Sequence, residues 1–298
     1  MQVLLLYISV VLIWGSTWFV IKFQLGDVAN EMSVAYRFGI AALLLYGYAL
    51  VTRRRIALPR SSLPFVFLQG TLLFCLNYFL VYYGTAYITT GLVAVVFCTI
   101  VPCNALFSRL FFGTALEPGV LIAAVIGLVG ISLIFWPEVS VVSFQDATVV
   151  GIAYILVATI IASLGNMAAV VNTRHDLPVV AVNAHAMAWA TFASLIIGLA
   201  LGRELSFSWE FDYLWSLIYL AIFGSAVAFG CYLALIRRIG AARAAYSSVL
   251  FPVVALGLST VFEDYKWTAA AIGGIILTLI GNWLILNQSV KKTTNTES

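Results

Sequence analysis

The sequence predicts an all-α integral membrane protein with ten transmembrane helices arranged as two inverted five-helix repeats. Three observations carry this. Of 298 residues, 63% are hydrophobic and 9% charged, against roughly 25% charged in a soluble domain. With a mean hydropathy of +1.07, such a chain cannot cover itself in polar surface, so most of its solvent must be lipid. The apolar residues fall into ten runs of membrane-spanning length, about 20 residues each. The second half also echoes the first.

The first run, 2–22, lacks a basic leader and a small-x-small cleavage site, so it reads as a retained helix rather than a signal peptide. Within "VLIWGSTWFVIK", Trp14, Trp18 and Lys22 stand at i, i+4 and i+8 and share one helical face. Tryptophan prefers the membrane interface, so two indoles inside a span, beside Gly15, Ser16 and Thr17, need a partner other than lipid. Either the indoles wall a cavity and meet the solute, or small residues let helices approach closely while the rings fill the gaps. Lys22 reads as an anchor that snorkels to the interface.

Run 32–51 carries Arg37, the costliest residue in the chain; a basic group at span centre costs about 2.5–3.5 kcal/mol on insertion scales. It either snorkels with a packing partner or binds a substrate carboxylate. Run 64–85 holds Asn77, Tyr78 and Tyr82, expected to line a pocket together with Tyr246 and Ser247 of run 243–262. Runs 90–111 and 243–262 each carry a proline, Pro102 and Pro252, that would kink the helix and serve as a hinge or simply aid packing.

Runs 118–136, 147–170, 213–236 and 268–287 are less distinctive, though Tyr83, Asn104, Asn166, Ser248 and Asn282 add to the polar inventory of the spans. Run 179–201 contains His185, which either couples protons to transport, since imidazole titrates near neutrality, or is neutral and satisfied by a neighbouring helix. The acidic residues all fall in loops or at span ends, Glu31, Glu138, Asp146 and Asp264 among them, which disfavours a carrier driven through a buried carboxylate.

Basic residues in the loops orient the chain. With the N-terminus inside, the cytoplasmic side receives Arg53, Arg54, Arg55, Arg60, Arg109, Arg174, Arg237, Arg238, Arg243, Lys291 and Lys292, while the outer side receives Lys22, Arg203 and Lys266. Both termini are therefore expected in the cytoplasm. The net charge of +3 gives no reason to expect nucleic acid as a partner. Cys75, Cys98, Cys103 and Cys231 lie inside apolar runs and show neither a disulfide framework nor a metal spacing. A phosphate-binding "GxxxxGK[ST]" loop is missing, and no cofactor is implied.

The repeat shows when "YYGTAYITTGLVAVVFCTIVP" (82–102) is laid over "YLALIRRIGAARAAYSSVLFP" (232–252), matching Tyr82 with Tyr232 and Pro102 with Pro252. After a one-residue slip, Gly130 falls on Gly281. The domain boundaries expected are 1–143 for the first unit, 144–288 for the second, and 289–298 for a polar cytoplasmic tail. An odd number of spans per unit inserts the second copy upside down, a plan of secondary transporters with a site near the midplane.

These features resemble the drug/metabolite transporter superfamily, specifically its EamA-type ten-helix members. The resemblance is carried by "LIWGSTWFVIK", Arg37 in "VAYRFGIAALLL", "NYFLVYYGTAY", "TIVP" and the segment from "SSVLFPVV" to "LTLIG", and it covers essentially the whole chain. In one departure, Gly113 stands where the second half has Glu263. The resemblance implies a carrier in a bacterial inner membrane, an exporter of amino acids, related metabolites or toxic compounds, with a central cavity between the halves. Its partners would be a small-molecule substrate and the lipid bilayer. An intramembrane enzyme is the rival reading, but two histidines and no buried acid are too thin an inventory for one. A non-transporting receptor offers no reason for ten spans.

Overall fold

The computed structural model describes residues 2–88, 90–115, 118–134, 136, 147–262 and 267–295, which hold helices and turns and no strand. Glu138, Asp146, Glu263, Asp264 and Lys266 lie outside the described residues, as do the side chains of Asn282, Lys291 and Lys292. The first run is α1 (Gln2–Ile21), extended by a 3-10 turn at Lys22–Gln24, and the second is α2 (Asn30–Val51). The third is compound: α3 (Leu63–Gln69), a π-helical segment (Gly70–Leu76) and α4 (Asn77–Thr85). The fourth is broken into α5 (Thr90–Phe97) and α6 (Ile100–Phe112), and α7 (Pro118–Ile134) follows.

The second half runs α8 (Ala147–Arg174), α9 (Val179–Ala200), then α10 (Phe211–Tyr219), a π-helical segment (Leu220–Val227) and α11 (Ala228–Ile239). It ends with α12 (Ala241–Ala245), a 3-10 turn (Tyr246–Leu250), α13 (Phe251–Phe262) and α14 (Ala269–Asn295). Among the described residues, eight helical stretches are long and apolar enough to cross a membrane, and two shorter apolar helices, Leu121–Ile134 and Ala269–Gly281, accompany them. The chain is thus a multi-pass membrane protein.

Helices α2 and α8 carry apolar residues on their outer sides as well as their inner ones yet bury one side only, as a lipid-exposed helix should. On α8, Ile155, Ala158, Ala162, Asn166 and Ala169 are buried while Leu156, Val157 and Ile160 are exposed. On α2 the exposed side carries Leu43, Leu44 and Leu50. Small residues make the inner faces close-fitting, α9 lying along α2 and α4 along α8.

Neither Pro102 nor Pro252 sits in the middle of an α-helix. Backbone breaks precede both: a turn at Cys98–Thr99 before α6, and the 3-10 turn before α13. Each proline therefore sits in the first turn of a new helix, where no intrahelical donor is required and no hydrogen bond is lost. The two breaks touch, with the Cys98 thiol 3.5 Å from the Ser248 carbonyl, partners 150 residues apart in sequence. Gly113 ends α6 in the left-handed region at φ 65°, a conformation that asks for glycine.

Helices α7 and α14 pack antiparallel and very closely: Gly130 faces Gly274, and Ala123 faces Gly281. Neither glycine of the first contact has room for a side chain. A Cβ on Gly130 would lie 2.7 Å from the Gly274 carbonyl oxygen and 2.5 Å from the Thr278 hydroxyl. This backbone approach is the small-residue packing that membrane helices use in place of a hydrophobic drive.

Candidate functional site

The face of α1 that carries the two indoles turns inward. Trp14 donates its Nε1–H to the Gly224 carbonyl at 2.9 Å, and its ring stands among Phe229, Tyr232 and Phe251 at centroid distances of 4.7, 5.0 and 5.8 Å. Trp18 meets Phe97 edge-on at 5.5 Å. Gly15 allows this, since a Cβ there would lie 2.6 Å from Val254 Cβ. The small residues seat α1 against α13, and the indoles they bring in line a cavity.

That cavity has a volume of about 60 Å³ and draws on both halves of the chain. The first half contributes Trp14, Thr17, Trp18 and Ile21 of α1, Leu73 of the π segment, Asn77, Tyr78 and Val81 of α4, and Phe97 and Ile100 around the break. The second contributes Ala162 and Asn166 of α8, Phe229 and Tyr232 of α11, Ala245, Ser247, Ser248 and Phe251. The lining is aromatic and apolar with a few convergent polar groups, the usual make-up of a small-molecule site.

A second, larger hollow of about 520 Å³ is basic, lined by Arg174, Arg237 and Arg243 with Asp176, Ser108 and Thr173. Arg237 pairs with Asp176, and the Arg174 guanidinium lies 4.2 Å from the Phe112 ring centroid. A chain of buried polar groups runs from the lining of the cavity to that of this vestibule. Asn166 donates to the Tyr232 hydroxyl at 3.1 Å and to Asn104 Oδ1 at 3.3 Å, Ser163 donates to Asn104 Oδ1 at 2.6 Å, and Asn104 donates to the Ala241 carbonyl at 3.3 Å.

Of the residues singled out from sequence, Trp14, Trp18, Asn77, Tyr78 and Ser247 meet in the cavity wall. Arg37 is not part of the lining. It is 1% exposed behind Tyr78, with its guanidinium 4.5 Å from that ring centroid. Its Nε donates to Ser225 Oγ at 2.8 Å, Nη2 reaches the Gly224 carbonyl at 3.4 Å and Tyr78 at 3.5 Å, and Nη1 has no hydrogen-bond partner. The snorkelling expectation fails because the side chain turns into the bundle. Tyr82 is fully buried and does not line the cavity.

His185 and Tyr246 stand elsewhere. His185 faces α2, its ring 5.5 Å from that of Tyr46, and Nδ1 bonds the Ala181 carbonyl at 2.9 Å. Tyr246 points into the α7–α14 seam and donates to the Ala123 carbonyl. Sequence reasoning left out Tyr232, although its match with Tyr82 in the repeat marked it; Asn166 and Ser248 were visible only as polar positions in spans. Phe97, Phe229 and Phe251 carried no signal, being ordinary among so many aromatics.

Glu31 is the main surprise among the acidic residues. It sits in the first turn of α2, as a span-end acid should, yet is 1% exposed. The Tyr83 hydroxyl donates to Oε1, and Arg203 Nε lies 3.7 Å from Oε2. The hydrogen bond from Arg203 to Tyr83, with the Glu31 charge, raises the guanidinium pKa further above its ordinary value. A buried carboxylate that loses its donor costs about 1–3 kcal/mol. Tyr83→Phe is therefore expected to lower the thermal midpoint of the detergent-purified protein, and Arg203→Ala, at a half-exposed side chain, to lower it less; equal midpoints would refute the ranking.

With this geometry in hand, the chain compares closely in length and fold with known proteins. "Uncharacterized transporter YoaV" of Bacillus subtilis is 23% identical over 94% of this chain and 95% of its own length. "Protein PagO" of Salmonella typhimurium is 24% identical over 95% and 92%, and "Uncharacterized inner membrane transporter YedA" of Escherichia coli K12 is 27% identical over 92% and 89%. A solved crystal structure superposes with a TM-score of 0.78 at 17% identity, over 96% of this chain and 97% of that one, and so shares the fold. The model of the EamA-like transporter family matches twice, over residues 1–136 and 149–287. The chain belongs to the EamA-like transporter family.

Proposed function

We propose that the chain is a secondary transporter that exports small organic metabolites, amino acids or related compounds among them, by alternating access at the central cavity. The observation that carries this is a cavity built from both halves and separated from a basic vestibule by the Tyr232–Asn166–Asn104–Ala241 chain. In this reading the vestibule opens to the cytoplasm, as its arginines would have it. The polar chain is the inner partition, and Trp14, Trp18, Asn77, Tyr78 and Ser247 contact the solute. Arg37 acts on the site through Tyr78, and the backbone breaks before Pro102 and Pro252 are the hinges.

The arrangement proposed is ten spans in two inverted units, 1–143 and 144–288, followed by the tail 289–298. Two family matches, one per half, support it. The π segments fall at the same place in each half, Gly70–Leu76 and Leu220–Val227, at the 150-residue offset that also relates Cys98 to Ser248. At one residue more, Ala123–Gly281 becomes the image of Gly130–Gly274. Equivalent helices that meet antiparallel through reciprocal contacts are what an inverted pair with a two-fold axis produces.

Purified protein in liposomes tests the function. A carrier exchanges internal for external labelled amino acid, an intramembrane enzyme changes the solute chemically, and a receptor does neither. Asn104→Leu removes the centre of the partition without touching the cavity wall. With hydrogen bonds worth about 0.5–1.5 kcal/mol each, exchange is expected to slow by roughly tenfold or more. Unchanged exchange by this variant would remove the partition from the mechanism.

A further inference from the structure

We propose that the basic vestibule holds the solute by its carboxylate, and that the compounds carried are carboxylates, amino acids included. The inference rests on the transporter reading above and names the chemistry that its inner side selects. Room is the first argument. At about 520 Å³ the vestibule falls within the about 300–1,000 Å³ of small-molecule sites, whereas the central cavity at about 60 Å³ does not. In this conformation a metabolite therefore fits in the vestibule, with the Asn104–Ala241 hydrogen bond between it and the cavity.

Charge is the second argument. Arg174, Arg237 and Arg243 line the hollow, and Asp176 is the one acid among the lining residues. Asp176 is already committed to Arg237, with which it pairs. The Arg174 guanidinium is seated over the Phe112 ring at 4.2 Å and forms no ion pair among the described residues. A guanidinium carries a fork of N–H donors that matches the two oxygens of a carboxylate. Ala105, Val170, Ile236 and Ile239 supply apolar wall beside the charges, and a low-dielectric wall concentrates the field of one sign into the hollow. The next charge on the proposed route is Arg37, behind Tyr78, and it too is positive. A bare cation is repelled at both stations, whereas an anion, or a zwitterion led by its carboxylate, is drawn in.

Isothermal titration of the purified full-length protein with leucine, 4-methylpentanoate and leucinamide tests this, since the three share a carbon skeleton and differ in charge. Leucine and 4-methylpentanoate are expected to bind at least about tenfold more tightly than leucinamide, whose carboxylate is replaced by a neutral amide. Added salt is expected to weaken the two carboxylates and not leucinamide. Arg174→Gln is expected to weaken them by about two- to fivefold, the range of an exposed charge pair. Asp176→Asn is expected to tighten them, because it frees Arg237. Asparagine suits this position, whose φ of 54° lies in the left-handed region. A merely structural effect would weaken every solute in both variants.

Equal binding of leucinamide, no saturable binding of either carboxylate, or carboxylate binding unchanged in both variants overturns the proposal. Glycerophosphoglycerol, the soluble headgroup of phosphatidylglycerol, offers oxyanion chemistry from another source. If it displaces 4-methylpentanoate and binds more tightly than leucine, the hollow is a lipid site and the assignment to the solute falls. Exchange of leucinamide in liposomes as fast as leucine would defeat this inference and leave the transporter reading standing. Carboxylate-selective binding without any exchange would do the opposite.

Discussion

Gly130→Leu will keep α7 and α14 from closing on each other, and the purified protein will lose its monodisperse peak on size exclusion. A Cβ at this position already meets the Gly274 carbonyl oxygen at 2.7 Å and Thr278 Oγ1 at 2.5 Å. The obstacle on one side is backbone, which has no rotamer to yield, and leucine places three further carbons in the same space. The cost is at or above the about 1–3 kcal/mol of an overpacked core. Gly47→Leu on α2 is the control, because a Cβ there has nothing within 4 Å and the position faces outward. A Gly130→Leu protein as stable as the Gly47→Leu protein would show that the α7–α14 seam is not close-packed.

Arg37→Met is expected to leave the thermal midpoint unchanged or raise it, while solute exchange falls by roughly tenfold or more. The guanidinium is buried among α2, α4 and the Leu220–Val227 segment with one good hydrogen bond, two long ones and an unpartnered Nη1. No acidic side chain among the described residues forms an ion pair with it. A charge taken out of water without a counter-ion costs several kcal/mol, and an apolar residue of similar volume in its place is often neutral or stabilising by about 1–4 kcal/mol. In the proposed transporter, Arg37 acts through Tyr78 by the potential it sets in the cavity, and that role offsets the stabilisation forgone by keeping arginine. A variant that unfolds earlier yet exchanges solute normally would reverse this assignment and make Arg37 a packing residue.

The course of the backbone was legible because lipid solvent makes apolar run length a direct readout of helices. Run 2–22 became α1 (Gln2–Ile21), run 179–201 became α9 (Val179–Ala200), and most other boundaries moved by a few residues. The interruptions were less legible. Pro102 and Pro252 stand just past the interruptions, but a hydropathy reading treats a first-turn proline and a kinking one alike. The π segments carry no local signature at all. Five of the eighteen residues of the cavity wall could be read, since Trp14, Trp18, Asn77, Tyr78 and Ser247 are polar or amphipathic where lipid would want neither. The phenylalanines beside them suit lipid and protein equally, so only the fold tells which way they face. His185 and Tyr246 looked like pocket residues for the same chemical reason, but their partners proved to be a backbone carbonyl in the same helix and one in the α7–α14 seam. Burial of Glu31 depends on Tyr83 and Arg203, far away in sequence, and no local pattern announces it.

The wide turns at Gly70–Leu76 and Leu220–Val227 have one further consequence. In an unbroken membrane helix, gaining or losing a single residue rotates everything beyond it by about 100° at 3.6 residues per turn, turning buried faces out to acyl chains. A π turn already carries surplus chain, so it offers each half one position where such an indel can be absorbed. Sequence length and the facing of Asn77, Tyr78, Phe229 and Tyr232 are thereby uncoupled at the point immediately before those residues begin. Natural variation in chain length within a span should therefore collect at these two places and spare the rest.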